Sequence, residues 1–132
     1  MAQQSQQVLL CACPSTVGVG AAVKVSAESG TIPSVIRCDY DDIDTMPASG
    51  IVEQKPSPSL AVVRLWGEMP WPDALPALHP GASYWVGGDG MPTAILASPP
   101  SGLRLEQRVG IALAERRLFV TIEPIRSGIG PA

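Results

Sequence analysis

The feature that most restricts this chain is an internal repeat. Gly20-Ala-Ala-Val-Lys-Val-Ser-Ala-Glu-Ser-Gly30 aligns with Gly81-Ala-Ser-Tyr-Trp-Val-Gly-Gly-Asp-Gly90, allowing one deletion. Further on, Gly50-Ile-Val-Glu-Gln-Lys55, a turn and Leu60-Ala-Val-Val-Arg-Leu65 read as a hairpin. Its counterpart is Gly110-Ile-Ala-Leu-Ala-Glu115, a shorter turn and Leu118-Phe-Val-Thr-Ile122. Gly20 and Gly50 lie 30 residues apart, Gly81 and Gly110 lie 29 apart. Two matches in the same order at nearly the same spacing define a duplicated unit. Neither unit can bury its apolar face alone. The expected fold is therefore all-β, a small barrel or sandwich built from two related halves packed together, which removes most exposed strand edges.

Local patterning agrees with strands. Apolar runs are short and bounded by turn residues, and Gly and Pro together make up about a fifth of the chain, scattered along it. Strands are expected near residues 7–12, 21–26, 50–55, 60–66, 83–86, 93–96, 105–112 and 118–122. Val23 and Val25 alternate with Ala22, Lys24 and Ser26, as in a strand buried on one face. Turns are marked at residues 28–30, 55–59, 87–90 and 98–102 by Gly, Pro, Ser and Asp. Residues 112–117 have helical propensity, but the segment matching them holds Pro56 and Pro58, which no helix interior tolerates, so a hairpin turn is expected in both places. Residues 38–44 are the one other place for a helical turn.

The ends read differently. Residues 1–7 are polar, uncharged and without periodicity, an extended N-terminal arm, and residues 126–132 read as a free tail. Between them, residues 8–125 form one domain, with halves at about 17–66 and 81–123 and a linker at 67–80. The first 23 residues carry no charge, and Val8-Leu-Leu-Cys-Ala-Cys13 is too short and lacks the preceding basic residue of an export signal. No run approaches the roughly 20 apolar residues of a membrane span. Nine Lys and Arg residues are dispersed over a chain of net charge -3, the opposite of a phosphate-binding patch. Pairs such as Arg104 and Arg108, or Arg116 and Arg117, read as solvated strand or turn positions. Neither nucleic acid nor membrane is expected as a partner, and no catalytic role is expected.

That last expectation rests on what chemistry requires. A nucleophile needs a neighbouring base and an orienting group, and the single histidine, His79, lies between Leu78 and Pro80. Gly87-Gly-Asp-Gly90 precedes no helix and reads as a turn, not a phosphate cradle. Three cysteines, Cys11, Cys13 and Cys38, exclude a complete disulfide framework and are too few for zinc without nearby histidines; small buried thiols are expected. The run Asp39-Tyr-Asp-Asp-Ile-Asp44 has alternating carboxylates but misses the calcium-loop spacing, so it reads as a solvated loop capping a short turn. The alternative is that these carboxylates hold a cation weakly at a subunit boundary, and Asp41 and Asp42 are candidate partner-contact residues. No metal or cofactor is expected. The segment 66–80, from the last residue of the first half through the linker, holds Trp66, Trp71 and four prolines: either the tryptophans anchor a partner on a stiff loop, or they cover the open end of the barrel.

Several strings carry a resemblance: Val17-Gly-Val-Gly-Ala-Ala-Val-Lys-Val25, Thr45-Met-Pro-Ala-Ser-Gly-Ile-Val-Glu-Gln-Lys-Pro-Ser57, the Gly67-Glu68 step, His79-Pro-Gly-Ala-Ser-Tyr-Trp-Val-Gly87 and Gln107-Arg-Val-Gly-Ile-Ala-Leu113. Over residues 8–123 the chain resembles bacteriophage virion proteins, namely capsid decoration (cement) domains and β-domains of tail fibres. It departs from them in the longer Pro- and Trp-rich segment around Trp71. The resemblance implies a non-catalytic structural protein, often a homotrimer, made in the host cytoplasm and seated on the capsid exterior. Its partners would be the major capsid protein and copies of itself. Gln3, Gln4, Gln6 and Gln7 in the arm, with Trp66, Trp71, Asp41 and Asp42, are the expected contact residues. The alternative is a tail fibre or spike domain that uses Trp71, Tyr84 and Trp85 on a host surface glycan or a neighbouring subunit.

Overall fold

The computed structural model describes residues 7–29, 32–94 and 103–129. Short extended segments bounded by Gly, Pro and polar turns give eleven strands among them: β1 (Gln7–Ala12), β2 (Ala22–Ser29), β3 (Ile32–Arg37), β4 (Gly50–Ser57), β5 (Leu60–Pro70), β6 (Ser83–Val86), β7 (Pro92–Thr93), β8 (Leu103–Glu106), β9 (Arg108–Ala114), β10 (Arg117–Thr121) and β11 (Arg126–Ile129). The helical elements among the described residues are two 3-10 turns, Ile43–Thr45 and Gly88–Gly90. The fold is all-β, as the repeat requires.

The first half closes on itself. β1 runs antiparallel to β5, from Gln7↔Trp66 to Ala12↔Leu60, and meets β3 in parallel at Ala12↔Ser34. β3 pairs with β2, β2 with β4 and β4 with β5, all antiparallel. The circuit β1-β3-β2-β4-β5 thus returns to β1 as a five-stranded barrel. β5 then passes through Gly67, at φ 108, and continues as the first strand of the second half, pairing with β10 from Trp66↔Thr121 to Pro70↔Arg117. β10 pairs with β9, β9 with β6 and β6 with β7, while β8 and β11 form a separate two-stranded ladder.

The two halves repeat down to single hydrogen bonds. Gly20 N–H donates to Val52 O at 2.8 Å and Val52 N–H to Ala21 O at 2.9 Å; Gly81 N–H donates to Ala112 O at 2.8 Å and Ala112 N–H to Ala82 O at 2.9 Å. Gly20 and Gly81 both have positive φ, 96 and 86, which glycine adopts without strain. Val23 faces Gly50 as Tyr84 faces Gly110. A Cβ on Gly50 would stand 2.5 Å from the Arg64 carbonyl oxygen, and one on Gly110 would stand 3.0 Å from that of Phe119. Both glycines are therefore fixed by the close passage of the next strand.

The pairing registers carry the equivalence further than the sequence alignment did. Leu9 faces Val63, which faces Val52; Met69 faces Leu118, which faces Ala112. Met69 thus stands where Leu9 stands, and Trp71 where Cys11 stands. The segment 67–80, expected as a linker outside the repeat, is instead the second copy of β1 and of the loop behind it.

Other expectations are also corrected. Gln7 opens β1 and is not part of an arm, while residues 1–6 lie outside the described residues. The expected tail begins with β11, paired to β8 from Arg126↔Glu106 to Ile129↔Leu103. β3 had no counterpart among the expected strands. The strand expected over 105–112 is broken at Gln107, and that over 93–96 is described only as Pro92–Thr93, because residues 95–102 lie outside the described residues.

Alternation along the strands produces two cores. Cys11, Cys13, Val23, Val35, Val52, Ala61 and Val63 fill the barrel. Ile51, Met69, Trp71, Leu78, Tyr84, Val109, Leu118 and Val120 fill the second half. Neighbours on one strand point to opposite sides, so Val23 and Val52 enter the first core while Ala22 and Ile51 enter the second. The barrel wall at β2 and β4 is buried on both faces. Gln107 clamps the halves: its Oε1 accepts from Ala48 N–H at 2.7 Å, and its Nε2 donates to Ala48 O at 3.3 Å and Glu123 O at 2.9 Å.

Candidate interaction surface

Outward-facing positions on β1, β5, β10 and β9 carry large apolar side chains where a solvated face would carry polar ones. Val8 is 49% exposed, Leu10 44%, Trp66 40% and Leu113 50%. Registers Val8↔Arg64 and Leu10↔Val62 place β1 beside the outer face of β5. Trp66 meets Phe119 of β10 edge to face, with ring centroids 5.0 Å apart, and Phe119 lies opposite Ile111 of β9. The result is a band across four strands of a continuous sheet. Single exposed apolar side chains are ordinary, but an apolar band on a rigid sheet is what a partner surface needs.

Charged groups in and beside the band are paired within the chain. Arg64, 5% exposed, donates from Nε to Glu53 Oε1 at 2.7 Å, and its Nη1 is buried without a hydrogen-bond partner. Arg117 pairs with Glu68. Arg108 holds Glu123, with Nε 2.8 Å from Oε2, and reaches Ser83 Oγ from Nη1 at 3.0 Å. Arg116 donates from Nη1 to the carbonyls of Pro72 (2.6 Å) and Leu75 (2.7 Å), fastening the Pro-rich loop. Of the arginines read as solvated positions, Arg108 and Arg116 thus act as internal clamps.

The expected contact residues are spread over the molecule. Gln3, Gln4 and Gln6 lie outside the described residues. Gln7 is exposed and starts β1 opposite Trp66. Trp66 is in the band. Trp71 is 5% exposed, packs in the second core and donates from Nε1 to Pro76 O at 3.0 Å, so it is a core residue, not an exposed loop anchor. Asp41 and Asp42 are exposed on a distant loop, where Asp42 Oδ1 accepts from Asp44 N–H at 3.0 Å and caps the first 3-10 turn. What sequence reading missed is the rest of the band. Val8, Leu10 and Leu113 lie in runs taken simply as strand, and nothing local says which face of a strand a second layer will cover.

The aromatic side chains expected on a glycan are largely covered. Tyr84 is 5% exposed and its hydroxyl accepts from His79 N–H at 2.8 Å, while Trp85 is half-buried under Arg126, whose guanidinium carbon lies 5.1 Å from the ring centroid. Trp71, Leu75, Leu78, Tyr84 and Met91 line an apolar cavity of about 490 Å³ between the end of β5 and β7. Among the described residues no three His, Cys, Asp or Glu side chains converge to hold a metal ion. No helix among them is long and apolar enough to cross a membrane. All three cysteines are reduced and buried. Burial pushes the Cys38 thiol up to about 12, and burial, then the neighbouring Cys13, pushes Cys11 up. The chain matches no protein-family model and no curated protein.

Proposed function

We propose that this domain is a structural component of a phage particle, a decoration protein that binds the outside of the major capsid lattice. The observation that carries the reading is the apolar band of Val8, Leu10, Trp66 and Leu113 on a sheet backed by two packed cores. A rigid backing matters, because a surface already ordered loses little entropy on docking. With its arginines paired internally, the band favours burial against apolar protein over attraction to phosphate or sugar. The resemblance to capsid cement domains supplies the setting, and a homotrimer on the shell is the expected form. Occupancy would stabilise the shell by mass action. The tail-fibre alternative is less supported, since two of the three aromatic side chains proposed for a glycan are buried.

Quantitative mass spectrometry and imaging of purified particles test this. The reading expects a lattice-ordered component on the order of hundreds of copies per particle, as capsid symmetry implies. A handful of copies, placed at the tail, would replace it with the tail reading. Leu10→Glu and Leu113→Glu, both at exposed positions, should each lower shell occupancy tenfold or more, about 1.4 kcal/mol, without changing the domain's own stability.

A further inference from the structure

The three thiols differ in surroundings, and one of them faces a fixed amine. Cys38 is fully buried in the second core and Cys11 in the first. Cys13, just beyond β1 at the mouth of the barrel, is 5% exposed and stands in the wall of an open groove of about 310 Å³ with Ser34, Ile36 and Ser59. Lys55 of β4 reaches across that mouth. Its Nζ donates to Pro14 O at 3.0 Å and Val17 O at 2.9 Å, which leaves it 3.5 Å from Cys13 Sγ. Two carbonyls hold the nitrogen against the sulfur, so the pair does not depend on a flexible side chain finding its partner.

We propose that Cys13 and Lys55 are an oxidisable pair that closes to a covalent N–O–S bridge between β4 and the segment following β1, with a hydroperoxide as oxidant. In the first step the Cys13 sulfur attacks one peroxide oxygen. The O–O bond breaks, an S–O bond forms, and the thiol proton leaves with the departing hydroxide as water. The Lys55 nitrogen, 3.5 Å from the sulfur, stands beside the oxygen that is transferred. The product is a sulfenic acid at Cys13. In the second step Lys55, having released its ammonium proton to solvent, is joined through that oxygen. One N–H and the sulfenic O–H bond break, an N–O bond forms, and a second peroxide accepts the two electrons and two protons, leaving as two waters. The net change is one oxygen gained and two hydrogens lost. The bridge ties the mouth of the barrel, where Ala12↔Ser34 is the parallel contact that closes the ring.

Intact-mass measurement of the folded chain under dilute hydrogen peroxide, followed by peptide mapping, tests this. The expected product is about 14 Da heavier, joins the Cys13 and Lys55 peptides, and reverts with dithiothreitol. Lys55→Arg keeps the charge but should stop at a Cys13 sulfenic acid, about 16 Da heavier and trapped by dimedone. Cys13→Ser should show neither product. Wild-type oxidation at Cys11 or Cys38 ahead of Cys13, or at Cys13 with no Lys55 cross-link, overturns the proposal. The result is independent of where the protein sits in a particle.

Discussion

At one equivalent place the two halves hold side chains of very different size. The strand that opens the first ring puts Cys11 into its core, while the strand that opens the second puts Trp71 there. The surrounding residues follow: the buried side chains of the first core are all Cys, Val or Ala, whereas the second adds Ile, Met, Leu, Tyr and Trp to those small ones. The backbone plan is the same, to the level of the bonds from Gly20 and Gly81, so strand pairing does not decide core volume. What differs is the seam. In the first ring Ala12 meets Ser34 directly, and only small side chains fit inside a ring drawn that tight. In the second, the cavity of about 490 Å³ separates the end of β5 from β7, and large side chains fill what they can of the wider space. Duplication has kept the ladder and exchanged closure for volume.

The sharpest way to break this comparison is to remove the bulk. Trp71→Ala should cost about 3–5 kcal/mol in a urea titration, the usual loss for an aromatic core residue, whereas Cys11→Ala should cost about 1 kcal/mol. Equal losses would mean that the two places are not equivalent. Next come the glycines. Gly50→Ala forces a Cβ onto a carbonyl oxygen at 2.5 Å, Gly110→Ala only to 3.0 Å. Expected losses are about 3 and about 1–2 kcal/mol, and the reverse order in thermal melts would contradict the tighter drawing of the first ring. Gln107→Leu leaves both backbone groups of Ala48 and the Glu123 carbonyl without their partner and should cost about 2–3 kcal/mol. Unfolding should stay a single transition, and two separated transitions would show that the clamp, not the shared strand, unites the halves.

The last test is pH. The Cys38 thiol is raised by burial from 9.0 to about 12, so the folded chain holds this proton more tightly than the unfolded chain does. Its contribution is complete below pH 9 and is lost as pH rises toward 12. Cys38→Ala should flatten that alkaline loss of stability, measured as the midpoint of urea unfolding at each pH, while leaving neutral behaviour dominated by packing.

How much of this was legible in the sequence depended on what local chemistry marks. Glycines at 20, 50, 81 and 110 were legible because close backbone passage admits nothing larger, and they revealed the duplication. The second copy of β1 was not, because Trp71 in place of Cys11, flanked by Pro70 and Pro72, hides a strand behind loop composition. Pro33 did the same for β3, which tolerates it where pairing with β1 is confined to one residue pair. β11 is marked only by Arg-Ser-Gly-Ile, and its partner residues in β8 lie twenty or more positions away in a different hairpin context. The apolar band escaped for another reason. Residues such as Leu10 and Leu113 alternate correctly for a strand, and only tertiary placement tells which side of the sheet is left uncovered.

Sharing β5 has an arithmetic consequence for how such a chain could grow. The first ring takes five strands, but the second draws only β6, β7, β9 and β10 anew, because it borrows its opening strand from its neighbour. A third link would need β10 to run on as β5 does. Instead β10 stops at Thr121, Glu123 N–H turns back to donate to Arg108 O at 3.1 Å, and Pro124 follows. Those few residues act as a chain terminator. Replacing them with a β5-like continuation and a further four-strand unit is the direct route from a two-link domain to a longer fibre of the same parts.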